Sequence, residues 1–126
     1  MLQKLFALLL FASLQAMADT PAELLAGYVA QAGQSASAAK GEVFFKASHG
    51  QEWQCTSCHG KSPMTGGRHA STDKAIEPLA PAANAKRFTD SAKVEKWFRR
   101  NCKDVLAREC SAAEKADVLA WLISVR

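Results

Sequence analysis

Apolar positions along the chain fall into one unbroken run near the N-terminus and several periodic stretches further on, separated by polar and Gly/Pro-rich segments. The first periodic stretch opens at Thr20-Pro21-Ala22-Glu23, a capping box with Pro at the first helical position, and predicts a helix through Leu24, Leu25 and Tyr28 toward Gln31. Gly33 to Ala39 reads as a break, after which Gly41, Phe44 and Phe45 belong to a second helical piece. From residue 60 to 85 no period is sustained, and Pro63, Gly66, Gly67, Pro78 and Pro81 predict a long loop. A strong helix then starts with Thr89 or Asp90 as N-cap. Val94, Trp97, Phe98 and Asn101 recur at i, i+3, i+4 and i+7, with Lys93, Glu95, Lys96, Arg99 and Arg100 on the other faces. Ser111-Ala112-Ala113-Glu114 is a second capping box, opening a last helix whose apolar face is Val118, Trp121, Leu122 and Val125. Gly41 would allow that helix to approach the Phe44 and Phe45 segment closely. The expectation is an all-α fold of three to four helices with no strand.

The unbroken run, Leu5 to Leu14, follows Lys4 and precedes Ala16-Met17-Ala18, a small-x-small cleavage site. This is the pattern of a secretory signal peptide, too short to span a bilayer. It predicts residues 1–18 as a cleaved leader, a mature domain at 19–126, a periplasmic location and no membrane span. The formal net charge of +4 is mildly basic, and no basic tract of the kind that binds phosphates is present, so nucleic acid is not an expected partner. One small domain has a thin apolar core, which a covalently held prosthetic group would supplement.

That group is indicated by Cys55-Thr56-Ser57-Cys58-His59, a C-x-x-C-H run that reads as a haem c attachment site. Two thiols on one side of a tight turn can add to the two vinyl groups, and the adjacent imidazole meets the iron from the same face. A zinc site would need a second ligand pair, and a thioredoxin-type pair would need a βαβ context; neither pattern occurs. The remaining cysteines, Cys102 and Cys110, are poorly spaced for zinc. In an oxidising compartment they pair with each other, closing a loop worth roughly 2.5 kcal/mol of chain entropy.

The ligand opposite His59 separates the possible functions. Met64 is the one methionine beyond the leader, but its tether to His59 is short for crossing to the other haem face; His69 reaches more easily. His49, before the motif, reads as a surface residue. Asn101 continues an apolar stripe with a polar side chain, so its amide either hydrogen-bonds the backbone or ligates the iron. As a hard, weak donor it would suit ferric better than ferrous iron and leave on reduction. The Cys102–Cys110 bridge would then restrain its swing. In the loop, Arg68, His69 and Lys74 are candidates for the haem propionates or are ordinary solvated residues. Lys46, Lys61, Lys86 and Arg87 either flank a haem edge and steer an acidic partner or form a plain solvated surface.

Beyond these readings, the chain resembles the sphaeroides haem protein family, a branch of class I c-type cytochromes. The resemblance lies in PAELLAGY at Pro21 to Tyr28, Gly41 to Phe45, CTSCHG at Cys55 to Gly60, and IEPLAP at Ile76 to Pro81. The longest segments are RFTDSAKVEKWFRRNCKDVLAREC at Arg87 to Cys110 and EKADVLAWL at Glu114 to Leu122. It implies that Cys55 and Cys58 carry haem c, that His59 and Asn101 are the axial ligands, and that Cys102 and Cys110 form a disulfide. It further implies a ferrous haem that loses Asn101 and binds oxygen, nitric oxide or carbon monoxide, with a dihaem cytochrome c or a membrane cytochrome b as electron donor. Thr72-Asp73-Lys74 departs from the family's usual Thr-Gly-Lys. Bound oxygen could oxidise nitric oxide, although no dedicated acid or base is evident, so catalysis stays open. The alternative is an outer-sphere electron carrier kept six-coordinate by His69 or Met64, and a haem-based sensor is a weaker third reading.

Overall fold

Capping chemistry sets the helix boundaries in the computed structural model, which describes residues 18–126; the leader run and most of its cleavage site lie outside the described residues. Thr20 accepts from the Glu23 N–H at 3.2 Å while the Glu23 carboxylate accepts from the Thr20 N–H at 2.7 Å, starting α1 (Pro21–Ala32). Ser37 caps α2 (Ala38–Lys46), and a one-turn helix, α3 (Cys55–His59), follows. Asp90, one of the two expected caps, accepts from Lys93 at the start of α4 (Ser91–Leu106). Ser111 and Glu114 form the reciprocal cap of α5 (Ala112–Ser124). The fold is all-α in character, with five helices among the described residues where three or four were expected.

The expectation of no strand needs correction. Two-residue strands β1 (Gly67–Arg68) and β2 (Ala75–Ile76) pair antiparallel within the long loop, Gly67 opposite Ile76 and Arg68 opposite Ala75. Elements this short carry no readable alternation. The rest of the loop is tied by its backbone, with the Pro63 carbonyl accepting from Leu79 at 3.1 Å and from Ala80 at 2.9 Å. Ala80 is fully buried there.

Helix α5 is the centre of the packing and buries two faces. Val118, Trp121 and Leu122 pack with Phe45 of α2, while Ala116 and Leu119 pack with Tyr28 of α1. Only the first of these faces was legible as a stripe. Gly41 makes the α2–α5 approach possible, because a Cβ there would fall on the Asp117 carbonyl. The Asp117 carboxylate also accepts from the Ser37 N–H at 2.7 Å, fixing the start of α2. Helix α4 lies against α1 and α5 through Val94 and Phe98. The expected four-residue stripe on α4 is not uniformly buried: Trp97 is 43% exposed, and Lys96 and Arg100 lie over its ring at 5.6 and 5.4 Å. Among the described residues, no helix is long and apolar enough to cross a membrane.

Candidate functional site

The attachment turn is built by its own polar residues. The Gln54 carbonyl accepts from the Ser57 N–H at 2.9 Å, the Ser57 hydroxyl accepts from the Gln54 N–H at 3.0 Å, and the Gln54 amide donates to Thr56 at 2.8 Å. One helical turn puts Cys55 and Cys58, at i and i+3, on a common side, with His59 following directly. Both thiols are free and half-buried. Burial pushes the Cys55 thiol up to about 11, so it is a neutral, apolar side chain seated against the Phe45 and Trp121 cluster.

His59 is enclosed by the same cluster. The Phe45 ring lies 5.9 Å from the imidazole and 5.1 Å from the Trp121 ring, tilted 50° to it. Burial, assisted by the positive charge of Arg87, brings the imidazole down to about 4, so it is neutral at pH 7 and keeps a lone pair. Its Nδ1 is buried with no hydrogen-bond partner. An orphaned buried nitrogen is costly in a purely structural histidine. A neutral ring with an unsatisfied nitrogen beside two free thiols fits a covalently held haem.

The β1–β2 hairpin seats on this turn. Gly67 is a close-approach position, where a Cβ would meet the Cys58 carbonyl and come within 2.9 Å of the His59 Cα. The Ala70 N–H donates to the Cys58 sulfur at 3.3 Å. At the hairpin tip, the His69 Nδ1 accepts from the N–H groups of both Ser71 and Thr72 at 3.2 Å. A neutral imidazole has one lone pair, so the ring proton lies on Nε2. His69 thus caps the tip. Arg68, proposed above for propionates, donates to the Asp73 carbonyl at 3.1 Å and is otherwise exposed, as is Lys74.

Two further positions, His49 and Arg87, differ from expectation, whereas Lys46 is the solvated residue allowed for. His49 is half-buried, its ring 4.5 Å from that of Phe44 and its Nε2 donating to the Phe44 carbonyl at 2.9 Å. Arg87 is no solvated steering charge: its guanidinium donates to the Pro78 and Glu77 carbonyls at 2.8 and 2.7 Å, and its charge reaches His59. Nothing in the helical periodicity points to this arginine, because irregular loop carbonyls hold it. Lys46 is paired with Glu42 at 2.6 Å.

On the other side of the sequence, Asn101 is half-buried on α4, and among the described residues no side-chain hydrogen bond involves it. The next residue, Cys102, joins Cys110 across the α4–α5 turn, the Cα atoms 5.6 Å apart. Met64 is half-buried in the turn that follows Ser62, its N–H donating to the Ser62 hydroxyl at 3.3 Å. Among the described residues, no group of three or more His, Cys, Asp or Glu side chains is arranged to hold a bare metal ion.

Comparison with known proteins places this geometry. Residues 31–122 match the model of a domain of unknown function, DUF1924. The cytochrome c-type protein SHP of Cereibacter sphaeroides is 48% identical over 107 residues, 82% of each chain. Cytochrome c'' of Methylophilus methylotrophus is 42% identical over 95 residues, covering 72% of this chain and 66% of that protein. The structure of oxidized SHP, described as an oxygen-binding cytochrome c, superposes with a TM-score of 0.80 at 48% identity, over 85% of this chain and 99% of SHP. Oxidized cytochrome c'' superposes with a TM-score of 0.72 at 37% identity, over 84% and 94%. The chain therefore belongs to the SHP family of c-type cytochromes, all-α proteins whose cofactor is covalently bound haem c.

Proposed function

We propose that residues 19–126 form a periplasmic cytochrome in which Asn101 closes the distal side in the ferric state and withdraws on reduction, admitting oxygen, nitric oxide or carbon monoxide. Haem c supplies an iron that exchanges one electron and, when ferrous with a free position, takes a diatomic gas. Cys55 and Cys58 would hold the macrocycle covalently, and His59 would supply a nitrogen to its iron. The Cys102–Cys110 disulfide restrains the segment that carries Asn101. Arg87, fixed by loop carbonyls beside His59, would supply positive charge to a haem carboxylate. The leader pattern in residues 1–18 supports export, and the donor is a dihaem cytochrome c or a membrane cytochrome b.

The observation that carries this reading is Asn101 itself: a half-buried amide on α4, continuing the line of the packed Val94 and Phe98, with no side-chain hydrogen bond among the described residues. An amide oxygen is a weak, hard donor, suited to ferric iron and easily lost from ferrous iron. The capped tautomer of His69 counts against the rival distal ligand. That 48%-identical SHP is described as oxygen-binding supports the choice of ligand class.

The test is an optical spectrum of the holoprotein, ferric and then dithionite-reduced, with and without carbon monoxide. Broad high-spin bands on reduction that shift promptly with gas are expected. Sharp low-spin bands in the reduced protein, indifferent to gas, would replace this reading with a saturated electron carrier.

A further inference from the structure

Three helices meet at one carboxylate away from the attachment turn. The Tyr28 hydroxyl of α1 donates to Glu95 Oε1 at 2.5 Å, and Lys115 of α5 donates to the two Glu95 oxygens at 3.3 and 3.0 Å. The ammonium also lies over the Tyr28 ring at 5.6 Å and the Phe98 ring at 5.9 Å, and Tyr28 meets Phe98 edge-on at 5.8 Å. Tyr28 is buried and the Lys115 side chain is only 16% exposed, while Glu95, 41% exposed, closes the outer edge of the cluster. Burial and the Glu95 contact push the Tyr28 hydroxyl well above its ordinary range. Burial also raises Glu95, but the hydrogen bonds from Tyr28 and Lys115 and the nearby charges of Lys115 and Arg99 outweigh it and hold the carboxyl below the usual range.

The placement of this cluster on α4 gives it a second consequence. The closest helix packing is between α5 and its partners α2 and α1. Helix α4 is held at its start by Asp19, which accepts from the Ser91 N–H at 2.8 Å, along its length by the packing of Val94 and the burial of Val105, and on either side of Asn101 by the Glu95 and Phe98 anchor and the Cys102–Cys110 link. Asn101 lies between them, about 9 Å along the axis from Glu95 at 1.5 Å per residue. A stiff helix passes a change at one of its attachments along its axis to neighbouring positions.

We propose that Glu95, clamped by Tyr28 and Lys115, is a positioning residue for the distal side: it sets the attitude of α4 and so the strength with which Asn101 competes for the iron. This inference rests on Asn101 being the distal ligand. Releasing the clamp weakens Asn101 ligation in the ferric protein, which shows as readier binding of an added ferric ligand.

The experiment measures cyanide affinity and the high-spin fraction of the ferric holoprotein in Tyr28→Phe and Glu95→Gln, each alone and combined with Asn101→Ala. Tyr28→Phe removes a single hydroxyl, so it keeps the test available if Glu95→Gln folds poorly. Val118→Ala, which loosens the α2–α5 core, is the control for general destabilisation. Either clamp variant should raise cyanide affinity about tenfold and increase the high-spin fraction, with no added effect once Asn101 is gone. Wild-type affinity in both clamp variants overturns the inference, as does an equal rise in Val118→Ala or a rise that persists in the Asn101→Ala background. The Asn101→Ala single variant reports separately on the underlying reading. If it stays low-spin when ferric, Asn101 is not the ligand; if it opens the iron while the clamp variants do nothing, only the positioning role fails.

Discussion

Gly41 of α2 lies flat against the carbonyl of Asp117 on α5, while the Asp117 carboxylate reaches over to accept the Ser37 N–H. One residue of α5 thus fixes both the distance and the starting point of α2. Any side chain at position 41 must push two backbones apart. Gly41→Ala is expected to destabilise the holoprotein by about 3 kcal/mol, the upper end for overpacking, seen as a lower denaturant midpoint at unchanged slope. A stability within 0.5 kcal/mol of wild type, on the order of an ordinary surface substitution, would contradict the packing described.

His69→Ala separates a hairpin cap from an iron ligand. Because Nδ1 accepts two backbone N–H groups, the substitution should cost about 1 kcal/mol of stability and leave ferric and ferrous spectra and carbon monoxide binding as in wild type. Loss of the ferric low-spin bands in this variant would make His69 the distal ligand.

Ala107 ends α4 in the left-handed region, φ 56°, where its N–H donates to the Lys103 carbonyl. Glycine is the usual residue at such a cap. Ala107→Gly should therefore stabilise the protein by about 1 kcal/mol and raise its thermal midpoint by about 4–8 °C. A lowered midpoint would mean that the cap costs nothing in its present form.

Besides Glu95, the start of α5 should be acid-sensitive. Hydrogen bonds from Arg108 at 2.9 and 2.7 Å hold the Glu114 carboxyl below the usual range, against the opposing effect of burial, and the Ser111 N–H adds to them. The folded value lies under the unfolded one of about 4.3. Its contribution is therefore complete above that pH and disappears as pH falls through the folded value. Glu114→Gln should be less stable than wild type at pH 7 and lose less of its stability on acidification from about pH 5 to 3, as read from denaturant midpoints. Parallel acid limbs would remove Glu114 from this role.

What could be read ahead of the coordinates was whatever local chemistry states directly. Thr20 with Glu23 and Ser111 with Glu114 announce helix starts because both partners of each cap lie within one turn. The Cys55–His59 run is legible for the same reason. The β1–β2 ladder escaped because two residues make no period. The second buried face of α5, Ala116 and Leu119, escaped because a helix packed on both sides has no single stripe. Trp97 misled in the opposite sense: its spacing fits the stripe, but it lies at the stripe's edge and remains 43% exposed. Arg87 and the Tyr28–Glu95–Lys115 cluster depend on contacts between residues distant in sequence, which no local pattern encodes. Asp73, by contrast, becomes intelligible only with the backbone in view. Its φ of 59° is one that glycine adopts freely and aspartate tolerates.

The two faces of α5 also govern the order in which the molecule can be made. Both apolar clusters require residues from the last helix, so a chain emerging N-terminus first cannot complete either cluster until its final residues are available. Such long-range closure is slow compared with the winding of a single helix. Throughout that interval Cys55 lacks the Val118, Trp121 and Leu122 side that it later packs against. The helix that seals the core thus closes both clusters in a single docking event.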